Sequence, residues 1–251
     1  MIHVIKIGGG VLENEAHRDA FLRQFAAIEG PKVLVHGGGR LATTMADRLG
    51  VQTQMIDGRR VTDQETLNIV TMVYGGLVNK QVVAQLHTMG VNAIGLTGVD
   101  GGWMRSVKRP IKNGIDYGYV GDVTEVNGFY LRMLIGMGLT PVIAPITYSA
   151  EGLLLNTNAD TVASMTAISL EPDVQLTFCF EKAGVLSNPD DESSLIPRIT
   201  RESYTQLKAD GIISGGMIPK IDNAFAAIEH GVQSVRITHA SNLQGGTIIV
   251  E

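Results

Sequence analysis

The sequence predicts an α/β protein built on a mainly parallel sheet with helices on both faces. Two observations carry this prediction. Short apolar, β-branched runs alternate with longer segments whose apolar residues recur at helical spacing, the pattern of repeated βα units. The first two runs, Val4-Ile5-Lys6-Ile7 and Val33-Leu34-Val35-His36, each lead into a triple glycine, Gly8-Gly9-Gly10 and Gly37-Gly38-Gly39. Glycines directly after a strand let the backbone turn sharply and approach a ligand with no Cβ in the way. Where a helix follows, its free N–H groups can hold an anion.

In chain order, residues 3–7 form the first strand and residues 15–29 the first helix. Residues 32–36 and 40–49 repeat the unit. Residues 63–89 read as one long helix, with Leu77, Val78, Val82, Leu86 and Met89 at helical spacing. Residues 93–96 are a strand. Residues 107–123 break the alternation: Lys112-Asn113-Gly114 is a hairpin turn signal flanked by Tyr117, Tyr119 and Val120. An antiparallel flap near the edge of the sheet is expected there. Helices at 128–137 and 159–169 and strands at 141–144 and 175–180 continue the pattern. Residues 188–194 are loop by composition. Helices at 201–209 and 218–230 precede a last strand at 234–238. No linker stands out, so any two lobes are expected to be fused through a continuous sheet.

The chain has 251 residues and a formal net charge of −5, long enough for one large α/β domain or two lobes. Hydrophobic residues at 44% and charged residues at 18% are ordinary for a soluble globule. The negative balance and the lack of a dense Lys/Arg patch argue against nucleic acid as a partner. No apolar stretch reaches the roughly 18–20 residues of a membrane span, and the N-terminus lacks a basic region followed by an apolar one. The expectation is a cytoplasmic protein without a membrane partner. The single cysteine, Cys179, stands between Leu176-Thr177-Phe178 and Phe180 and reads as a packing thiol in a buried strand.

Several common chemistries have no motif here. The chain lacks Gly-x-x-x-x-Gly-Lys-Ser/Thr, Gly-x-Gly-x-x-Gly, Gly-x-Ser-x-Gly and any zinc-like Cys/His spacing. Other residues stand out. Lys6 lies inside an apolar strand, where lysine is rare, two residues before the glycines. It can meet a phosphate as a mobile point charge. His36 reads as a core histidine bonded to backbone. In Asn156-Thr157-Asn158-Ala159-Asp160, Asn158 can cap the helix that follows and Asp160 lies in its first turn. Capping needs only one such side chain, so Asp160 is free to orient lysines. Gly215-Gly216-Met217-Ile218-Pro219-Lys220 places a lysine in the first turn of a helix, against the dipole. An anion there would reverse that cost. Arg60, in Asp57-Gly58-Arg59-Arg60-Val61-Thr62, can bind a carboxylate bidentately, or sit solvated on the surface.

Taken together, these residues resemble the amino acid kinase family over almost the whole chain. The match comprises Lys6-Ile7-Gly8-Gly9, His36-Gly37-Gly38-Gly39, Gly58-Arg59-Arg60-Val61-Thr62, Asn79-Lys80, Gly121-Asp122-Val123, Asn156-Thr157-Asn158-Ala159-Asp160 and Gly216-Met217-Ile218-Pro219-Lys220. Gly-x-Arg-Val-Thr with Asn-x-Asn-Ala-Asp narrows it to the branch acting on acetylglutamate.

The resemblance implies a three-layer αβα sandwich with an open, mainly parallel sheet, the amino acid kinase fold. It implies an N-terminal lobe (1–170) for acylamino-acid binding and dimerisation, and a C-terminal lobe (171–251) for ATP. It implies ATP-dependent phosphorylation of the γ-carboxylate of N-acetyl-L-glutamate in arginine biosynthesis, with nucleotide-bound Mg²⁺. The same reaction on N-succinyl-L-glutamate, or a catalytically silent amino-acid sensor, are the alternatives. By family pattern Lys6 and Lys220 hold the migrating phosphoryl group, and Asp160 holds both ammonium groups. Gly38, Gly39, Arg60, Asn156 and Asn158 would bind substrate. Gly8, Gly9, Glu181, Gly184, Ser214 and Gly216 would bind nucleotide. Phe180-Glu181-Lys182-Ala183-Gly184 departs from the usual Thr/Ser-Asp-Val-x-Gly, and Lys182 adds a charge there. The chain starts without the helix that the resemblance associates with arginine-inhibited hexamers, so a homodimer without arginine feedback is expected.

A carboxylate nucleophile is already ionised near neutral pH. No general base is then required, and positioning with cationic stabilisation carries the catalysis.

Overall fold

The computed structural model describes residues 1–56, 59–188, 190–214 and 217–251. The chain opens with β1 (Ile2–Ile7), α1 (Gly9–Glu13), α2 (Glu15–Ala26), β2 (Lys32–His36) and α3 (Gly39–Arg48). A short ribbon follows, β3 (Gln54–Ile56) and β4 (Arg59–Val61). The next helical stretch is α4 (Gln64–Val70), a π-helical segment (Thr71–Val78) and α5 (Asn79–Thr88). The middle of the chain contains β5 (Ala93–Leu96), β6 (Met104–Lys108), β7 (Val120–Val126), α6 (Gly128–Gly136), β8 (Thr140–Ile143), β9 (Ile146–Tyr148) and β10 (Leu154–Thr157). The rest is α7 (Ala159–Ser169), β11 (Val174–Phe180), β12 (Arg198–Ile199), α8 (Arg201–Ala209), α9 (Met217–Glu229), β13 (Ser234–His239) and β14 (Thr247–Ile249).

Several helix starts follow from side-chain caps. Asn14 accepts from the His17 N–H to start α2, Asp63 from Thr66 to start α4, and Asn127 from Tyr130 to start α6. Thr200 and Ser203 form a reciprocal box at α8. Each cap satisfies an N–H that the first turn leaves open.

Eight strands form the main sheet in the order β12-β14-β13-β11-β1-β2-β8-β5. All neighbours run parallel except β13 and β14. β1 is central, with Ile7 opposite His36 on β2 and Cys179 on β11. The chain leaves β1 towards β2 on one side and later returns to fill β11 on the other. The carboxyl ends of β1 and β11 therefore bound a switch-point crevice, where ligands bind in open α/β sheets.

Strand alternation divides the core between the two faces. Val4, Leu176 and Val235 pack with Val162 and Ala163 of α7 and Ala224 of α9. Ile5 and Ile7 pack with Phe21 and Phe25 of α2, Val70 of α4 and Val82 of α5. Both clusters are nearly water-free, and each buried aliphatic side chain stabilises by about 1.5–3 kcal/mol.

The long helix expected over 63–89 is present but contains the π-helical segment. The antiparallel hairpin is also present, as β6 and β7 with a Lys112–Ile115 bridge between them. It does not lie on the edge of the main sheet. β7 pairs parallel with β10, β10 antiparallel with β9, and β9 with β6, closing a separate four-stranded unit. β9 and β10 are too short to read as strands from sequence. The hairpin is tied to the segment after β4: Thr62 N–H donates to Tyr117 O at 2.9 Å, and Tyr119 N–H to Thr62 O at 2.7 Å. Gly118, at φ 71°, fits this crossing because a Cβ there would lie 2.2 Å from Thr62 O.

Candidate active site

Residue Lys6 leaves β1 on the α7 side, near the carboxyl end of the strand, and is mostly buried (12% exposed). Its ammonium lies 2.8 Å from Asp160 Oδ1. Asp160 is fixed by the start of α7, where Asn158 Oδ1 accepts from Asp160 N–H at 2.8 Å and Thr161 N–H at 3.1 Å. Phe180 closes β11. Its ring centroid is 5.9 Å from Lys6 Nζ and 3.9 Å from Lys220 Nζ on α9. Side chains from β1, α7, β11 and α9 thus meet at one point. Asp160 pairs with Lys6, and Lys220 rests on the face of Phe180, an attraction of ring quadrupole for cation.

The two glycine turns touch backbone to backbone. Gly37 N–H donates to Ile7 O at 3.1 Å. A Cβ on Gly9 would lie 2.9 Å from Gly38 N, and one on Gly38 would lie 2.8 Å from Tyr74 Cδ1. Gly8 precedes α1 and faces open space.

Beside these turns lies a cavity of about 210 Å³ lined by Gly38, Gly39, Arg60, Tyr74, Asn156 and Asn158, among others. Arg60 is buried rather than solvated. Its Nη2 donates to Gly39 O and to Thr43 Oγ1, both at 2.8 Å. Nη1 is buried with no hydrogen-bond partner among the described residues, and the guanidinium lines the cavity, where it can meet a carboxylate. Asn156 Nδ2 donates to Thr62 Oγ1 at 3.0 Å. Tyr74 reaches this cavity from the π-helical segment. Burial raises its phenol pKa, and neighbouring Arg60 opposes that rise.

A second cavity, about 500 Å³, runs between α7 and α9 and is lined by Asp160, Met165, Phe180, Lys220, Asn223 and His230, among others. Arg59 and Asn158 border both cavities.

The expected nucleotide residues are more dispersed. Glu181, Gly184 and Ser214 line neither cavity. Glu181 is exposed, 3.6 Å from Arg40 Nη2. Gly184 is a packing position, since a Cβ there would lie 2.7 Å from Thr247 Oγ1. Ser214 is exposed and accepts the Met217 N–H at its carbonyl. Gly216 lies outside the described residues, as do Asp57 and Gly58 before Arg59.

His36 is a structural residue, as its sequence context suggests. It is fully buried, and its Nδ1 faces Gly37 O at 2.8 Å. A carbonyl only accepts, so Nδ1 carries the hydrogen and Nε2 accepts from Asn79 Nδ2 at 3.1 Å. Asn79 also donates to Val142 O at 2.9 Å. Burial pushes the imidazole pKa down to about 4. Cys179 is buried and its thiol is pushed up to about 12, mainly by desolvation. It is a packing group, not a nucleophile.

Phe180, Tyr74, Thr43 and Arg59 are the site residues that sequence reasoning missed. Thr43 stands one helical turn after Gly39, and Arg59 is adjacent to Arg60, so both carried a positional signal.

Comparison with known proteins bears on the same residues. Residues 1–239 match the model of the amino acid kinase family. An acetylglutamate kinase of Phocaeicola vulgatus is 55% identical, covering 98% of this chain and 97% of its own. One of Bacteroides thetaiotaomicron is 56% identical, covering 96% and 94%. The crystal structure of smu.665 from Streptococcus mutans superposes with a TM-score of 0.77 at 30% identity, covering 99% of this chain and 98% of that one.

Proposed function

The chain belongs to the amino acid kinase family, and from that premise we propose that it transfers the γ-phosphoryl group of ATP to the γ-carboxylate of N-acetyl-L-glutamate, a step of arginine biosynthesis. The observation that carries this reading is the meeting of Lys6, Asp160 and Lys220 around Phe180, close to a cavity where Arg60 keeps a buried donor with no hydrogen-bond partner among the described residues. The names of the relatives support the substrate.

Arg60, with Asn156, Asn158 and the Gly38 and Gly39 backbone, binds the acylamino acid in the smaller cavity. Gly8 and Gly9 face the phosphate chain. Residues near Glu181, Gly184, Ser214 and Gly216 would hold the nucleotide, and the Mg²⁺ it carries would supply positive charge to its phosphates. A γ-carboxylate oxygen attacks Pγ, the bond from Pγ to the bridging oxygen breaks, and ADP leaves with the electron pair. No proton moves, so no base is needed, in keeping with a neutral His36. The barrier is the approach of two anions. Lys6 and Lys220 offset it at the phosphoryl oxygens and the leaving side. Asp160 keeps Lys6 aimed.

In this reading residues 1–170 form the acylamino-acid and dimerisation lobe and residues 171–251 the ATP lobe, in a cytoplasmic homodimer. Among the described residues no helix is long and apolar enough to cross a membrane. ADP release measured with N-acetylglutamate, N-succinylglutamate, glutamate, aspartate and UMP tests the activity, and hydroxylamine trapping identifies an acyl phosphate. ADP release that does not depend on N-acetylglutamate overturns the reading.

A further inference from the structure

We infer that Arg59 is a third phosphoryl-handling cation, supplied from the β3–β4 ribbon to the oxygens of the group in transit. The inference rests on the proposed placement of the two substrates and adds a catalytic residue to it.

Among the described residues, Lys6, Lys220, Arg60 and Arg59 bring cationic side chains to the two cavities, and the first three are engaged by protein. Lys6 is paired with Asp160, Lys220 is seated on Phe180, and Arg60 donates inward to Gly39 and Thr43. Arg59 is different. It is exposed, and among the described residues it has no ion pair or side-chain hydrogen bond. Arg59 and Arg60 are successive residues of one strand, so their side chains leave on opposite faces. Arg60 turns into the substrate cavity, and Arg59 stays at the border that both cavities share. Asn158 borders both as well, but its Oδ1 is committed to capping α7.

The reaction needs positive charge at that border. A phosphoryl group passing from nucleotide to carboxylate spreads negative charge over its three equatorial oxygens, and a planar guanidinium matches two of them at once. The support of Arg59 suits such a task. Among the described residues, β3 and β4 pair only with each other. The ribbon is held at Thr62, bonded to Tyr117 and Tyr119, and at Arg60, bonded to Gly39 and Thr43, so Arg59 is presented from a positioned backbone.

The test is steady-state kinetics of Arg59→Ala and Arg59→Lys beside Lys6→Ala and Lys220→Ala, with melting temperature as a check on folding. Arg59→Ala should lower kcat on the order of 10²–10³-fold, with KM for N-acetylglutamate within about threefold of wild type because the contact forms mainly in the transition state. Added guanidinium should restore part of the lost turnover in Arg59→Ala and none in Lys6→Ala. Arg59→Lys should stay well below wild type, since an ammonium cannot bridge two oxygens. A kcat within threefold of wild type, a change confined to KM, or no rescue by guanidinium would overturn the role of Arg59 while Lys6→Ala and Lys220→Ala remain inactive. Near-wild-type turnover by either lysine variant would overturn the site reading, and the role of Arg59 with it.

Discussion

The ammonium of Lys6 meets the carboxylate of Asp160 at 2.8 Å, tying the first strand of the sheet to the first turn of α7. The second ammonium, Lys220, is held by the ring of Phe180. Lys6→Ala and Lys220→Ala should each lower kcat on the order of 10²–10³-fold with the fold intact. Asp160→Asn should cost less, because it leaves the lysine in place but poorly aimed. Steady-state ADP release with near-UV circular dichroism checks all three, and near-wild-type turnover by either lysine variant would refute the assignment.

Arg60 has one nitrogen bound by Gly39 and Thr43 and another buried without a hydrogen-bond partner among the described residues. A hydrogen bond from a charged donor contributes about 1.5–3 kcal/mol. Arg60→Ala should therefore raise KM for N-acetylglutamate roughly 10–100-fold and change kcat little, since such an anchor serves ground and transition states alike. An unchanged KM would remove Arg60 from the substrate site.

Gly9 and Gly38 approach so closely that a Cβ on Gly9 would lie 2.9 Å from a backbone nitrogen. No side chain can move aside there, so the turns must separate. Gly9→Ala should lower kcat on the order of 10²-fold by misplacing the phosphate-facing backbone, with a modest fall in melting temperature. Unaltered kcat would mean that the separation of the turns does not matter to the chemistry.

His36 gives stability a defined pH dependence. Its folded pKa, about 4, is below the ordinary 6.5, so between these values the unfolded chain binds a proton that the native state refuses. The contribution is complete above pH 6.5 and is lost as pH falls towards 4, roughly 3 kcal/mol across the window. Denaturant unfolding at several pH values should show this slope in the wild type, and His36→Gln should flatten it. An equal slope in both proteins would assign the effect to other groups.

Much of this site was legible because glycine, lysine and capping residues carry their reasons locally. Gly8–Gly10, Gly37–Gly39, Asn158 and Lys6 are each odd for a plain strand or helix, and the structure gives each a specific position. Burial was harder to read. Nothing in the sequence around Arg60 distinguishes a solvated arginine from one packed under Thr43, because that difference is made by α3 folding over it. Phe180 reads as an ordinary strand aromatic until α9 brings Lys220 to its face. The four-stranded unit around the hairpin escaped because β9 and β10 are three and four residues long, and their pairing is set by tertiary contacts.

The π-helical segment Thr71–Val78 fixes a spacing that an ordinary helix would miss. Each of its turns holds an extra residue, so Tyr74 reaches Gly38 before it and Asn79 reaches His36 after it. Deleting one residue here would change that spacing. It would then unseat Asn79 from the imidazole, so this stretch sets the chain's phase.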